Sequence, residues 1–302
     1  MRATAQDILN HMDRFRIGRL EVSRIEEKVH YFDADEFYPD IKRQVVQEHA
    51  SWLAPFFDIP GHRMPCVFQS FVVQHESLTI VIDTCFGNDK ERPDFLLGHQ
   101  LQTPFLERLQ AAGCDPADVD LVLCTHMHVD HVGWNTRLAN GRWVPTFPNA
   151  KYVFSEEEYA QYRPENIRPE SPPPFLFSYQ DSVLPVIEAG QAVMVSGEHQ
   201  VNEILTLLPS PGHTPGHVTI RAADGDQSGL FLGDVMHNPV QMADPDLNSA
   251  YCEIPHLARE SRRQLLERAV DTHALLVPGH FLAPHVGRVA RDRDRYRFIA
   301  GT

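Results

Sequence analysis

The chain has 302 residues, 41 acidic against 27 Lys and Arg, for a formal net charge of −14, and 42% of its residues are apolar. That length and apolar content suit one large domain or two ordinary ones with a sizeable core, while the acidic balance repels phosphate backbones and anionic lipid headgroups and so counts against nucleic-acid and membrane-surface roles. No run of about 18 apolar residues occurs, the amino terminus lacks the apolar stretch of a signal peptide, and five cysteines (Cys66, Cys85, Cys114, Cys124, Cys252) form no C-x-x-C pair; the expectation is a soluble cytoplasmic protein with reduced core thiols.

Residues 1–60 read as an amino-terminal elaboration without recognisable chemistry, packed on a core domain over 61–302. Within it Ala5–Phe15 has helical spacing, Leu20–Phe32 contains a strand, and Trp52–Phe57 is aromatic and interrupted by Pro55. From Val67 the segments VFQSFVVQ and SLTIVIDT read as two strands joined by a short polar turn. Thr103–Ala112 predicts a helix with Thr103 as N-cap, Pro104 at its first position and Gly113 past its end. Val119–Cys124 is β-branched and apolar, a buried strand.

Directly behind that strand comes Thr125-His126-Met127-His128-Val129-Asp130-His131, in which four of the six positions from His126 carry metal-ligating side chains. A divalent cation is what lets one short loop aim so many donors at a point, and imidazole nitrogen with carboxylate oxygen suits zinc, manganese, iron or cobalt.

Lys151–Phe154 follows as a strand, and Ser155-Glu156-Glu157-Glu158 opens a helix with a capping-box pattern. Ser171-Pro172-Pro173-Pro174 marks a loop, and Ser171–Phe175 is a candidate lip over a site. Gln180–Ala189 reads as helix, Ala192–Val195, Ile204–Leu208, Val218–Ala222 and Gly229–Leu232 as strands, Leu257–Thr272 as an amphipathic helix and Ala274–Val277 as a last apolar strand. Strands mixed with helices in two similar halves predict a layered α/β fold, an αββα sandwich. Three further candidate ligands each sit in the loop after an apolar strand: His213 in P-G-H-T-P-G-H, Asp234 in L-G-D, and His280 in P-G-H. Function gathers at such strand ends because rigid elements hold the side chains while loops stay accessible. Gly212, Gly233 and Gly279 precede the three ligands and allow sharp turns there.

With these motifs in this order across about residues 67–285, the chain resembles the metallo-β-lactamase superfamily. The resemblance implies two divalent metal ions, most simply zinc, with His126, His128 and His213 on one, Asp130, His131 and His280 on the other, Asp234 bridging both, and a water or hydroxide completing the bridge. Gly233-Asp234-Val235-Met236-His237 and the ending His280-Phe281-Leu282-Ala283-Pro284, followed by Gly287-Arg288-Val289 and Tyr296-Arg297-Phe298, look most like the methyl parathion hydrolase group, with acyl-homoserine lactonases as close cousins. One departure stands out: the lactonases have tyrosine three residues after the bridging aspartate, where this chain has His237.

Two such cations lower the pKa of a bridging water from about 15.7 towards about 7. The expectation is therefore a dinuclear hydrolase using a metal-bridging hydroxide on a neutral ester or lactone, with side activity on phosphotriesters. Asp130, Asp234 and His237 are the candidate catalytic residues: Asp130 as a proton shuttle beside its ligand role, His237 either facing substrate or bonding within the Asp234 turn. His217 is read as supporting a ligand, and Asp83 as accepting from a ligand imidazole. Trp52, Phe56, Phe57, Phe86, Trp134, Phe147, Phe175 and Met236 line either a substrate cleft or the core. The partner is a small molecule, with homodimerisation open.

The alternatives are a mononuclear iron persulfide-dioxygenase-like oxidoreductase, distinguished by one iron per chain, and a non-catalytic metal-binding protein. Too little chain follows His280 for glyoxalase II, length and acidity oppose a nuclease, and His128 stands where a flavodiiron protein has glutamate.

Overall fold

A computed structural model describes residues 12–163, 165–166, 177–293 and 295–301. The chain divides into two compact units: one holds the chain up to Lys28 with Phe68–Ser196, the other Val29–Val67 with Gly197 onward.

The first unit opens with a hairpin of β1 (Met12–Ile17) and β2 (Leu20–Asp33), in which Ile17 pairs with Leu20 across a turn where Gly18 takes φ 59°. Residues 12–15, expected to be helical, are thus strand. Pairing with β2 buries Ile17, Leu20 and Val22, a gain that weak helical spacing does not offset; the rest of that expectation, over 5–11, lies outside the described residues. β3 (Arg63–His75) pairs antiparallel with β4 (Leu78–Ile82), and β5 (Leu121–Leu123) lies parallel to β4. A separate two-stranded ribbon is formed by β6 (Thr136–Ala139) and β7 (Arg142–Pro145). β8 (Lys151–Ser155) and β9 (Ala192–Val195) extend the main sheet in parallel, giving the order β1-β2-β3-β4-β5-β8-β9. The parallel centre is apolar on both faces, as such strands require: Ile80, Val81, Val122, Leu123, Tyr152 and Val153 are all buried.

The helix Phe105–Ala111 begins one residue later than expected, capped by Pro104 without a side-chain bond. Thr103 is engaged elsewhere, its hydroxyl donating to Glu27 Oε1 at 3.1 Å. The helix buries Phe105, whose ring stacks on Trp134 at 5.4 Å, and Gly113 ends it at φ 85°. Ser155 caps the helix Glu156–Tyr162 by accepting from Glu158 N. Of the aromatic and Met side chains weighed for a cleft, Trp52, Phe56, Phe57, Phe86, Trp134, Phe147 and Met236 are buried, and Trp134 and Phe147 belong to the hydrophobic core of the first unit. Phe175 and the Ser171–Phe175 lip lie outside the described residues.

The second unit carries a sheet in sequence order: β10 (His199–Gln200), β11 (Leu205–Pro209), β12 (Val218–Asp224), β13 (Gln227–Phe231), β14 (Leu275–Val277), β15 (Gly287–Asp292) and β16 (Arg295–Ala300). All neighbours are antiparallel except β13 and β14, which are parallel and joined through the helix Pro255–Thr272. That helix starts on a proline, whose missing N–H costs nothing at a first position, and buries Ala258, Ser261, Arg262, Leu265, Leu266 and Ala269 along one face. Arg262 is fully buried and donates to Val235 O, Pro245 O and Asn248 Oδ1 at 2.9, 2.8 and 3.1 Å, so the loop after β13 is pinned to the helix.

Candidate metal centre

In the first unit the loop after β5 is held on both sides. Asp83, just past β4, sits at φ 52°, a conformation that Asp tolerates better than most residues. Its carboxylate accepts Thr125 N at 2.8 Å, Thr125 Oγ1 at 2.9 Å and His131 Nδ1 at 2.9 Å. Glu158 Oε1 accepts Met127 N at 2.9 Å, in the middle of the H-x-H turn. Further along, a Cβ on Gly133 would lie 1.8 Å from Phe86 O, so only glycine lets the chain after His131 pass there.

These contacts dictate where the protons are. A carboxylate only accepts, so His131 carries its proton on Nδ1 and leaves Nε2 bare. Thr125 donates its one hydroxyl proton to Asp83 and therefore accepts from His126 Nδ1, 3.1 Å away; His126 Nε2 is bare as well. The His126 ring centre lies 4.6 Å from that of His128 and 4.0 Å from that of His131. Asp130 Oδ2 is 3.4 Å from His131 Nε2, with the Asp130 side chain 16% exposed.

In the second unit three imidazoles meet one carboxylate. His280 Nε2 is 2.8 Å from Asp234 Oδ1, and His213 Nε2 and His237 Nε2 are 3.0 and 3.1 Å from Asp234 Oδ2. His280 donates Nδ1–H to Val67 O at 2.9 Å, which leaves its Nε2 bare. His213 Nδ1 lies 3.9 Å from Cys252 Sγ. His217 has both nitrogens committed: Nε2 accepts Asp234 N at 2.9 Å and Nδ1 bonds Ser210 Oγ at 2.9 Å, so it supports the aspartate. Gly212 and Gly233 take φ 132° and 50°; Gly279 does not adopt a positive φ.

At His131 and His280, whose protons are engaged at Nδ1, a bare Nε2 facing a carboxylate oxygen presents lone pair to lone pair, an arrangement that needs a cation or a further proton between them. Two ligands of one divalent ion with bonds of about 2.0–2.2 Å stand about 2.8–3.4 Å apart at bond angles near 85–110°, and the His280–Asp234, His213–Asp234 and His131–Asp130 separations of 2.8, 3.0 and 3.4 Å fall in that interval. The donor set therefore fits a metal such as zinc, with the outward nitrogens of His126, His131 and His280 oriented by a partner on the other side of the ring. The same contacts raise the affinity of His280 for a proton: burial pushes its pKa down, but Cys66 and Asp234 push it up and win. Burial lowers the His237 pKa, opposed by Asp234.

Four of the five cysteines offer no thiolate near neutral pH. Burial pushes the thiols of Cys85, Cys124 and Cys252 up and that of Cys114 to about 12. Sequence reasoning passed over Thr125, Glu158, Cys252, Val67 and Tyr38. Thr125 adjoins the motif and was legible as a hydroxyl next to a ligand; the others come from distant segments and left no local signal.

The profile of the metallo-β-lactamase superfamily matches residues 65–280. An N-acyl homoserine lactonase of Bacillus cereus is 28% identical over 126 residues, 41% of this chain and 40% of that protein, and a hydroxyacylglutathione hydrolase of Synechococcus is 28% identical over 183 residues, 49% of this chain and 60% of that protein; the chain thus matches about two fifths of the length of the lactonase. Among solved structures, hydrolase AbOPH of the β-lactamase superfamily superposes with a TM-score of 0.80 at 20% identity, over 97% of this chain and 98% of that one. AidC, a dizinc quorum-quenching lactonase, superposes with a TM-score of 0.74 at 18% identity, over 96% and 97%. The fold is accordingly the expected one, and with the profile spanning most of the sequence and every strand-end motif inside or at the edge of it, the chain belongs to the metallo-β-lactamase superfamily.

Proposed function

We propose that the protein is a dinuclear metal-dependent hydrolase acting on neutral esters or lactones, with phosphotriesters as a further substrate class. The observation that carries this reading is that His131 and His280 are each held from behind at Nδ1, by Asp83 and by Val67 O, while Nε2 faces a carboxylate oxygen of Asp130 or Asp234 at ligand-to-ligand distance. In it His126, His128 and His213 would hold one cation and Asp130, His131 and His280 the other, with Asp234 available to both. Divalent cations there supply Lewis acidity, which makes water a nucleophile near neutral pH and polarises a carbonyl or phosphoryl oxygen. The chain's own groups do the rest. Asp83 and Val67 O keep the ligand tautomers correct, His217 and Arg262 hold the Asp234 turn, and Asp130, the more exposed of the two carboxylates, takes up a proton and returns it to the leaving group.

The names of the relatives support a small-molecule ester or lactone as substrate. All five cysteines are free and buried, which supports a reducing, cytoplasmic setting, and no helix among the described residues is long and apolar enough to cross a membrane.

Metal analysis and a substrate panel test the reading. Two metals per chain and turnover of aryl esters, lactones or phosphotriesters are expected; a metal-replete protein inert on all three overturns it, and one iron per chain points to the persulfide dioxygenase instead. Asp234→Ala is expected to lose both metals together.

A further inference from the structure

We infer that His237 is a positioning residue for Asp234 rather than a group offered to substrate, and that Phe37 and Tyr38, from a segment without any recognisable motif, hold it in that role. The inference rests on the hydrolase reading for its catalytic meaning, but its geometry stands apart from it.

His237 Nε2 lies 3.1 Å from Asp234 Oδ2. Because the carboxylate accepts only, Nε2 carries the proton and Nδ1 is bare. The residue is 3% exposed. One face stacks on His280 at 5.5 Å and 7°, and Phe37 packs edge-on at 5.1 Å and 72°. A ring covered in this way, with its one N–H committed, has nothing to offer a leaving group. It does restrain the carboxylate at the oxygen that His280 leaves: Oδ1 faces His280 while Oδ2 faces His213 and His237.

The support for His237 is equally specific. Its backbone N–H donates to Gln241 Oε1 at 2.7 Å, the same oxygen that accepts Tyr38 OH at 3.0 Å, and Gln241 Nε2 donates to Leu247 O at 3.0 Å. The amide orientation of Gln241 is thereby determined, since its oxygen takes two donors and its nitrogen meets a carbonyl. Tyr38 and Phe37 end the short helix Ala34–Phe37, which Asp33 caps by accepting Asp35 N and Glu36 N, and Ala250 N donates to Phe37 O at 2.9 Å. Tyr38 and Gln241 are 203 positions apart.

The test uses the full chain labelled with ¹⁵N-histidine, first without metal. The expected spectrum shows His237 as the Nε2–H tautomer, shifted in Asp234→Asn and disturbed in Tyr38→Phe; an Nδ1–H tautomer, or a signal indifferent to Asp234→Asn, overturns the inference. The second arm titrates zinc against a chromophoric chelator. His237→Gln, which keeps an amide N–H at that reach, is expected within about threefold of the unsubstituted protein, and His237→Leu at least about tenfold weaker. Equal affinity for the Leu and Gln variants overturns the inference. Should the unsubstituted chain take up no zinc while the metal-free spectrum is as expected, the hydrolase reading falls and the positioning of Asp234 stands.

Discussion

Asp83→Asn is the most informative single change, because one carboxylate determines the tautomers of two ligands. With aspartate, His131 and Thr125 both donate to it, and Thr125 in turn accepts from His126. Asparagine has the same shape and also tolerates the φ of 52° at this position, so the backbone has no reason to move. Its oxygen must stay on Thr125 N, 2.8 Å away in the parent, since the flipped amide would set N–H against N–H. The amide nitrogen then faces Thr125 Oγ1 and His131 Nδ1 as a donor to both. Thr125 turns its proton towards His126 Nδ1, and both imidazoles carry their protons on Nε2, the nitrogen that should bind metal. Loss of a partner behind a ligand typically costs about 10–100-fold in metal affinity, which is about 1.4–2.8 kcal/mol at each of His126 and His131. These two ligands belong to different cations in the proposed centre, so both binding steps should weaken. By contrast, stability of the metal-free fold should change by only about 1 kcal/mol, because the number of hydrogen bonds is conserved. Competition titration with a chromophoric chelator reads the first quantity and urea denaturation of the metal-free protein the second. A variant that binds both ions within twofold of the parent, with its fold intact, would refute the tautomer argument.

Lys90 supplies a pH prediction away from the centre. Its ammonium is buried 3.7 Å from the Trp143 ring centre and donates to Thr136 Oγ1 at 2.7 Å and Asp181 O at 3.0 Å, while burial, opposed by Asp181, lowers its pKa to about 7 from 10.5. Between those values the unfolded chain holds a proton that the folded chain has released, so stability should rise with pH from about 7 to about 10, by an amount on the order of a few kcal/mol; a flat denaturation profile over that range, or one unchanged in Lys90→Met, contradicts this. Gly212→Ala places a Cβ 2.0 Å from Ala258 N at φ 132°, and a loss of about 3 kcal/mol or more is expected; a melting temperature within two degrees of the parent would show that the helix start yields. Zinc affinity should fall as the pH is lowered, because His280, raised by Cys66 and Asp234 against its burial, holds a competing proton; calorimetry in buffers of differing ionisation enthalpy counts the protons released, and none released at pH 6 would refute the competition.

Much of the fold and the identity of the candidate donors were legible in the sequence, for a physical reason. Buried parallel strands must be continuously apolar, so LVL, GLF and LLV announced themselves as β5, the end of β13 and β14, and imidazoles and carboxylates crowded into the loops behind them had few readings other than a cation. The start of the chain was less legible: Phe15 and Ile17 fit a helix or a strand, and only the partner strand β2 settles which. The electronic state of the centre belongs to tertiary structure altogether. Which nitrogen of His131, His280 or His237 carries the proton depends on Asp83, Val67 and Asp234, the first two 48 and 213 positions from the ligand they orient. A side chain's type is encoded where it stands, but its proton goes to whichever neighbour the folded chain brings within 3 Å, and local sequence holds no record of that neighbour.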